Sequence, residues 1–260
     1  MEIELNNIYN EDCLVGMSKI ADGSIDCIIC DLPYGVLNKS NSYTKWDIEL
    51  PINELWQHYL RVIKPNGAIV LFGQGMFTAK LMMSNQKLWR YNLIWDKDRK
   101  TGFLNANRMP LRQHEDIMVF YKKQPTYNPK MTKCEPQKRN HGRGKHTQSI
   151  NRCYGKFVST ETVFSDEKFP VSIIKFPAKH INGEYYHPTE KPVAIIEYLI
   201  RTYTNDGEIV LDNCMGSGTT AIACINTNRK YIGFELDKGF YDIAINRIMK
   251  YHRQLNFNFE

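Results

Sequence analysis

The segment that most constrains the fold runs from residue 209 to residue 220. It reads as an apolar strand ending at Asp212, a turn of small residues that includes Gly216 and Gly218, and the start of a helix. Glycines let a backbone approach a ligand closely, and a helix N-terminus offers free N–H groups. A second acid, Glu235, ends the next apolar run about 20 residues later, where nucleotide-binding α/β folds place an acid that binds ribose. The segment predicts a nucleotide-like ligand at the edge of a sheet.

Strand and helix patterns alternate along most of the chain. Strands are predicted at 25–30, 68–72, 89–95, 114–121, 208–211 and 230–234, and helices at 11–20, 52–63, 76–86, 191–203, 219–227 and 239–252. This alternation predicts an α/β fold of the Rossmann type, with a doubly wound and mostly parallel sheet. Because no apolar run reaches the roughly 18 residues of a membrane helix and the chain start lacks a signal layout, we expect a cytoplasmic protein with no membrane contact.

Residues 122–185 interrupt the alternation, because they are basic, rich in Pro, Gly, Asn and Tyr, and poor in periodicity. Residues 122–156 hold ten Lys or Arg and one acid, a net charge of +9 in a chain whose total is +6. A local basic stretch suits a polyanion, and a solvated basic loop is the alternative. We therefore divide the chain into a first half-domain (1–121), a basic insert (122–185) and a second half-domain (186–260).

Three segments together resemble the amino-group DNA methyltransferases that use S-adenosylmethionine. Residues 212–220 resemble their motif I, with Gly-Ser-Gly-Thr-Thr, and residues 187–192, His-Pro-Thr-Glu-Lys-Pro, resemble their motif X. Residues 31–34, Asp-Leu-Pro-Tyr, resemble the catalytic motif IV, Asp-Pro-Pro-Tyr. The catalytic motif comes first, an order that resembles the β class, a circular permutation of the methyltransferase fold. The resemblance covers nearly the whole chain except about 122–175, which it implies to be a target-recognition region.

The resemblance implies S-adenosylmethionine as the methyl donor and no metal. Lys191 would lie beside the methionine carboxylate, Glu235 would hold the ribose, and residues 11–13 resemble the acidic motif that contacts the cofactor's adenine. The residues expected to bind the cofactor are Asp12, Cys13, Lys191, Asp212, Asn213, Met215, Gly216, Ser217, Gly218, Thr219, Thr220, Glu235 and Leu236. The cysteines at 27 and 30 lie within an apolar run, so we interpret them as reduced core residues.

The resemblance also assigns the catalytic roles, to Asp31, Leu32, Pro33 and Tyr34. An exocyclic amine is a poor nucleophile because its lone pair is delocalised into the ring. In the family, the Asp carboxylate and the next carbonyl accept both amino hydrogens and free that lone pair, and the Tyr stacks on a base flipped from the duplex. Leu32 replaces the family's first proline, which loses proline's locked φ but keeps the carbonyl.

Residues near this motif leave two interpretations open. Trp46 and Asp47 would hold the flipped base, or would only pack and cap the loop. Arg112, His114 and Glu115 would support the substrate side, or would only form a local ion pair.

DNA is the expected partner, together with a cognate restriction endonuclease and a second copy of the chain in a homodimer. The cations expected to contact DNA are Lys122, Lys123, Lys133, Lys138, Arg139, Arg143, Lys145 and Arg152. In the family, Asp at the head of the catalytic motif favours adenine-N6, with cytosine-N4 as the alternative. The protein would be prokaryotic or phage-encoded and associated with the nucleoid.

Three other functions compete with DNA methylation. An RNA or protein methyltransferase could use the same scaffold, although the motif order and the basic insert oppose it. A nicotinamide oxidoreductase fits the glycine spacing, because Ala221 stands where that motif has glycine or alanine, but it leaves residues 31–34 unexplained. A DNA-binding protein without catalysis would not need Asp31 and Tyr34.

Overall fold

An eight-stranded sheet forms the centre of the larger of two units, which comprises Met1–Asn128 and Ser172–Glu260. This computed structural model describes residues 3–36, 47–140, 148–151, 155–158, 162–178, 186 and 189–257. In chain order the strands are β1 (Asn7–Tyr9), β2 (Ile25–Cys30), β3 (Ile63–Gly73), β4 (Trp89–Thr101), β5 (Arg112–Phe120), β6 (Thr132–Asn140), β7 (Gln148–Asn151), β8 (Gly155–Val158), β9 (Thr162–Lys168), β10 (Ile173–Lys175), β11 (Ile209–Asp212) and β12 (Lys230–Phe234). The helices are α1 (Cys13–Ser18), α2 (Ile52–Val62), α3 (Met76–Ser84), α4 (Val193–Tyr203), α5 (Thr219–Asn226) and α6 (Lys238–Phe257).

The strand order of the large sheet is β1-β12-β11-β2-β3-β5-β4-β10. β5 is antiparallel to both of its neighbours, and the other neighbouring pairs are parallel, which confirms the predicted α/β architecture. β2 and β11 are direct neighbours, with Cys27 opposite Val210 and Ile28 opposite Leu211. Because parallel strands end at the same edge of a sheet, the turns after β2 and β11 lie side by side.

Apolar side chains cover both faces of the sheet. In β2, Cys27 and Ile29 pack on one face with residues of α4, α5 and α6, whereas Ile28 and Cys30 pack on the other with residues of α1, α2 and α3. This alternation follows from the two-residue period of a strand. It also places Cys27 and Cys30 in separate core layers, both buried, as the interpretation of core cysteines requires.

Two strands of the large sheet carry no sequence signal that we used. β1 is three residues long and pairs with β12 at one edge, and β10 is three residues long and pairs with β4 at the other edge. Runs this short contain too few residues for a periodicity to be recognised. Since β10 lies within 122–185, the predicted insert includes one strand of the large sheet.

The smaller unit, Pro129–Val171, is shorter than the predicted insert because β10 and residues 122–128 belong to the larger unit. It contains two antiparallel ribbons, β6 with β9 and β7 with β8. β6 reads Thr-Lys-Cys-Glu-Pro-Gln-Lys-Arg-Asn and has no alternating apolar face, so the sequence did not indicate a strand there. Among the described residues, no helix is both long and apolar enough to cross a bilayer.

Candidate active site

The predicted catalytic tetrapeptide forms the turn that follows β2. The hydroxyl of Tyr34 donates a hydrogen bond of 3.0 Å to Asp31 Oδ1. The ring of Tyr34 stacks on Phe77 of α3, with the ring centroids 4.6 Å apart and an interplanar angle of 28°. Leu32 is buried in the core, and Pro33 is half-buried. The buried side chain of Leu32 gives a packing reason for an apolar residue where the family has proline.

Asp47 holds the far side of this turn. It is 2% exposed, and its Oδ1 and Oδ2 accept hydrogen bonds from the N–H groups of Gly35, at 3.0 Å, and Val36, at 2.8 Å. Gly35 has a φ of 68°, which favours glycine. Of the two roles open to Asp47, the described contacts are those of a loop cap, whereas Trp46 lies outside the described residues.

Asp31, the predicted catalytic carboxylate, belongs to a network of four charged side chains. Lys191 Nζ lies 2.5 Å from Asp31 Oδ2 and 3.3 Å from Glu115 Oε2, and Glu115 Oε1 accepts a hydrogen bond of 2.9 Å from Lys97 Nζ. The side chains of Lys97, Glu115 and Lys191 are 10–15% exposed, whereas that of Asp31 is 26% exposed. The ammonium of Lys191, expected beside the methionine carboxylate, therefore contacts the carboxylate of Asp31 in this structure, and its role toward the cofactor stays a prediction.

The network sets the direction of each pKa. Burial raises the pKa of Asp31, Lys191 offsets this in part, and the charge of Glu115 raises it further. Burial also acts to raise the pKa of Glu115, but Lys191 and Lys97 outweigh it and lower that pKa. Burial acts to lower the pKa of Lys191, and the two carboxylates outweigh it and raise that pKa. Lys191 and Glu115 are thus held in their charged forms, and Asp31 is the member most ready to take up a proton.

The glycine-bearing turn lies at the end of β11, beside the Asp31 turn that follows β2. Gly216 and Gly218 have φ angles of 55° and 81°, a region that costs other residues roughly 1–2 kcal/mol. The N–H of Gly216 donates a hydrogen bond of 2.8 Å to Glu235 Oε2, and Glu235 Oε1 accepts another of 2.8 Å from the N–H of Asp237. Since a carboxylate has about four lone-pair sites, Glu235 can accept further hydrogen bonds from a ligand diol.

Two polar residues predicted to bind the cofactor have side chains occupied by the protein itself. Asp212 accepts hydrogen bonds from the N–H of Cys214, at 3.0 Å, and from the hydroxyl of Thr220, at 2.5 Å. Burial raises the pKa of Asp212 to about 6. Asn213 Oδ1 accepts a hydrogen bond of 2.5 Å from the hydroxyl of Tyr59. Both side chains therefore fix the shape of the turn.

A second buried ion pair, between Glu190 and Arg247, binds to residues at the start of α5. Glu190 Oε1 lies 2.5 Å from Arg247 Nη1 of α6, and its side chain is 1% exposed. The hydroxyl of Thr219 donates a hydrogen bond of 3.1 Å to the same oxygen, and Arg247 donates one of 3.1 Å to the carbonyl of Ser217. Glu190 and Arg247 were missed by the sequence analysis, although Glu190 stands next to Lys191 in the segment that resembles motif X. His187 of that segment lies outside the described residues.

The remaining residues expected to bind the cofactor surround the same space. Asp12 caps α1, because its Oδ1 accepts hydrogen bonds from the N–H groups of Leu14, at 2.8 Å, and Val15, at 3.3 Å. Leu236 is 69% exposed. It lines the cavity between the two turns, and so does Phe240, which the sequence did not point to.

One cavity of about 500 Å³ joins the two turns. Its lining combines the predicted catalytic tetrapeptide with the predicted cofactor residues, Gly218 excepted: Asp12, Cys13, Asp31, Leu32, Pro33, Tyr34, Lys191, Asp212, Asn213, Met215, Gly216, Ser217, Thr219, Thr220, Glu235 and Leu236. Gly218 instead lies against α6, where an added Cβ would come within 3.1 Å of the Cβ of Ala244. The cavity also includes three polar side chains of β4 that the sequence did not point to as binding residues, Lys97, Arg99 and Thr101.

Residues predicted to contact DNA are described only in part. Lys122, Lys123 and Lys133 are exposed. Lys138 and Arg139 lie on β6, where the side chains are not described, and Arg143, Lys145 and Arg152 lie outside the described residues. The role of this set stays a prediction.

At the entrance of the insert, Arg112 donates a hydrogen bond of 3.1 Å to Gln74 Oε1, and the carbonyl of His114 accepts one of 2.9 Å from Gln74 Nε2. Glu115 forms its ion pairs with Lys97 and Lys191, and Arg112 and Glu115 both line the cavity, so a role on the substrate side stays a prediction.

Sequence comparison finds a family match over most of the chain. Residues 25–246 match the model of a family described as DNA methylase, named for N6 and N4 methyltransferases. The chain is 29% identical over 247 residues to the type II methyltransferase M.HpaI of Haemophilus parainfluenzae, an alignment that covers 91% of this chain and 72% of that protein. It is 26% identical over 255 residues to the DNA adenine methyltransferase YhdJ of Escherichia coli K12, covering 94% and 83%.

Structure comparison supports the same fold. The M1.HpyAVI–SAM complex matches with a TM-score of 0.61 and 21% identity, covering 93% of this chain and 98% of that one. The cytosine-N4-specific PvuII DNA methyltransferase matches with a TM-score of 0.67 and 14% identity, covering 94% and 86%. The chain therefore has the fold of S-adenosylmethionine-dependent DNA methyltransferases.

Proposed function

The chain belongs to the DNA methylase family that its residues 25–246 match, and from this premise we propose that it transfers a methyl group from S-adenosylmethionine to the N6 amine of adenine in DNA. The observation that supports this most is the shared cavity, in which the Asp31 turn and the glycine-bearing turn face the same space. A transfer between two bound molecules needs both sites within one reaction distance, because positioning supplies much of the rate. The relative named as a DNA adenine methyltransferase supports the choice of adenine.

The residues around the glycine-bearing turn fit S-adenosylmethionine, the methyl donor. S-adenosylmethionine, when bound, supplies an electrophilic methyl group attached to a sulfonium. Glu235 has free acceptor sites for the two hydroxyls of a ribose, and the turn at Gly216 leaves open space where a Cβ would stand. Asp12 uses one carboxylate oxygen to cap α1, which leaves the other for an amino group of an adenine ring.

The residues of the Asp31 turn fit the amine that would receive the methyl group. Each oxygen of Asp31 has one protein partner, Tyr34 or Lys191, and retains lone pairs that can accept an amino hydrogen. Accepting that hydrogen localises the nitrogen lone pair for attack on the methyl carbon. The raised pKa of Asp31 suits it to take up the proton that the amine loses. The ring of Tyr34, already stacked on Phe77, offers an aromatic surface for a base flipped from the duplex.

The product identifies the target base. Purified protein would be incubated with S-adenosylmethionine and DNA from a methylation-free host, and the nucleosides would be separated by mass spectrometry. We expect N6-methyladenine that rises with time. N4-methylcytosine in its place would move the chain to the other branch of its family, and the absence of any methylated nucleoside would refute the proposed function.

The basic segment 122–156 is the proposed DNA-contacting part of the chain, with phosphates as the partners of its cations. We further propose that the protein works on DNA in a prokaryotic cytoplasm, associated with the nucleoid, beside a cognate endonuclease and as a homodimer. Single-molecule sequencing of DNA from a host expressing the chain would give the recognition sequence. Recovery of a nuclease that cuts that same sequence only when it is unmethylated would support the endonuclease partner.

A further inference from the structure

The hairpin between β4 and β5 exposes large apolar side chains to solvent. Residues 103–110 are all exposed, and Leu104 is fully so at 101%, with Phe103 at 68% and Met109 at 55%. Scattered single apolar residues are common on protein surfaces, but three of them in one short loop form a patch that marks a contact site.

This hairpin tip has a defined conformation. Gly102 has a φ of 90°, and its carbonyl accepts a hydrogen bond of 2.9 Å from the N–H of Asn105. The carbonyl of Asn105 then accepts bonds from the N–H groups of Arg108, at 2.8 Å, and Met109, at 3.0 Å. The strands close beneath the tip, where Thr101 pairs with Arg112. The apolar side chains are therefore presented on a folded support.

The tip stands at the rim of the candidate active site. Arg99, Thr101 and Arg112, which bracket the tip in sequence, all line the same cavity as Asp31 and Tyr34. Residues 102–111 join the two residues of that last strand pair, both of which line the cavity, so the tip adjoins the wall of the site that a flipped base would enter.

The charge around the tip suits a polyanion. Residues 99–112 contain the cations Arg99, Lys100, Arg108 and Arg112 and no Asp or Glu. An apolar tip flanked by cations is the arrangement by which proteins insert a wedge between base steps while contacting the neighbouring phosphates.

We propose that the β4–β5 hairpin enters the DNA duplex, with Leu104 filling the space left in the stack when the target base turns into the cavity. This role rests on the proposed function, because it requires that a base be flipped. Unstacking and unpairing a base costs free energy, and a side chain that fills the vacated space stabilises the opened duplex. A second copy of the chain is the other occupant that an exposed apolar patch could receive.

Two DNA duplexes separate these roles. Both carry the recognition sequence that the wild-type protein methylates, and in one the nucleotide opposite the target base is abasic, so the target is already unpaired. Methyl transfer under single-turnover conditions would be measured for the wild type, for Leu104→Ala and for Leu60→Ala. Leu60 is the matched control, since it is 49% exposed on α2 and does not line the cavity. Sedimentation velocity would report the oligomeric state of each protein.

We expect Leu104→Ala to slow transfer to the paired duplex about tenfold or more, and to stay within about threefold of the wild type on the abasic duplex. Leu60→Ala should match the wild type on both. Equal rates for Leu104→Ala and the wild type on the paired duplex would overturn the role, as would an equal loss on both duplexes or a loss explained by a dimer that dissociates. If the wild type methylates neither these duplexes nor genomic DNA, the proposed function itself fails, which is a different result.

Discussion

At the scale of single residues, Lys191 links the Asp31 turn to β5. Its ammonium contacts both Asp31 and Glu115, and Lys97 contacts Glu115 from the other side. Removing one partner from a buried ion pair costs about 3–5 kcal/mol, because the remaining charge is left uncompensated. A test of this network should therefore remove a charge while keeping the shape of the side chain and one of its acceptor oxygens.

Glu115→Gln is that change. The charge of Glu115 raises the pKa of Asp31, so its loss should lower that pKa. If catalysis requires ionised Asp31, activity falls as the pH drops through the pKa of Asp31. The acidic limb of kcat/KM against pH should then move to lower pH in the variant. An acidic limb that stays in place, or moves to higher pH, would remove Glu115 from the control of Asp31.

Sequence patterns predicted the identity of Asp31, Tyr34 and Glu235, but not the partners of those residues. Asp31 was recognisable because an acid at the end of an apolar strand is a local pattern. Its contacts with Lys191 and Glu115 join positions far apart in the chain, and nothing in local periodicity specifies such a pairing. The same reason explains why the ion pair of Glu190 with Arg247 was missed.

Among the elements, the turn between β11 and α5 combines two constraints at Gly218. Its φ of 81° favours glycine, and an added Cβ would lie 3.1 Å from the Cβ of Ala244 on α6. The strand, the glycines and the helix were all readable from the sequence. The approach of α6 was not, because it depends on tertiary packing.

Gly218→Ala should destabilise the fold and weaken cofactor binding. Gly207→Ala is its matched control, because Gly207 has a similar φ of 79° but no atom within 4 Å of an added Cβ. Both variants should lose roughly 1–2 kcal/mol of stability from the left-handed backbone. Only Gly218→Ala should lose more than that in urea unfolding, and only it should lower affinity for S-adenosylhomocysteine by calorimetry. Indistinguishable behaviour of the two variants would mean that contact with α6 does not constrain this turn.

For the whole molecule, chain order and spatial order differ. β2 and β11 begin at residues 25 and 209, yet they are hydrogen-bonded neighbours in the sheet. The alternation of strands and helices predicted the class of fold, and the order of the motifs supported its permuted form. The edge strands β1 and β10 and the ribbons of the smaller unit could not be predicted, since they are short or lack an apolar face.

The charge of the whole chain is unevenly distributed, which gives a prediction at this scale. Neutralising Lys138, Arg139 and Arg143 to Gln should weaken DNA binding and reduce the slope of log K against log salt, by about 0.9 for each lost phosphate contact. The control changes three exposed cations elsewhere, Lys87, Lys230 and Lys250, and thus removes the same net charge. Equal salt slopes for the two triple variants would exclude a specific role for the basic segment.

The central claim is that Asp31 activates an amine beside a separately bound methyl donor, and one variant tests it most directly. Affinity for S-adenosylmethionine, by calorimetry, and single-turnover methyl transfer to duplex DNA would both be measured for Asp31→Ala. We expect affinity within a few fold of the wild type, because Glu115 still pairs with Lys191 and the glycine-bearing turn is untouched. We expect transfer to be abolished, because the carboxylate that accepts the amino hydrogen is gone. Transfer near the wild-type rate would contradict the account.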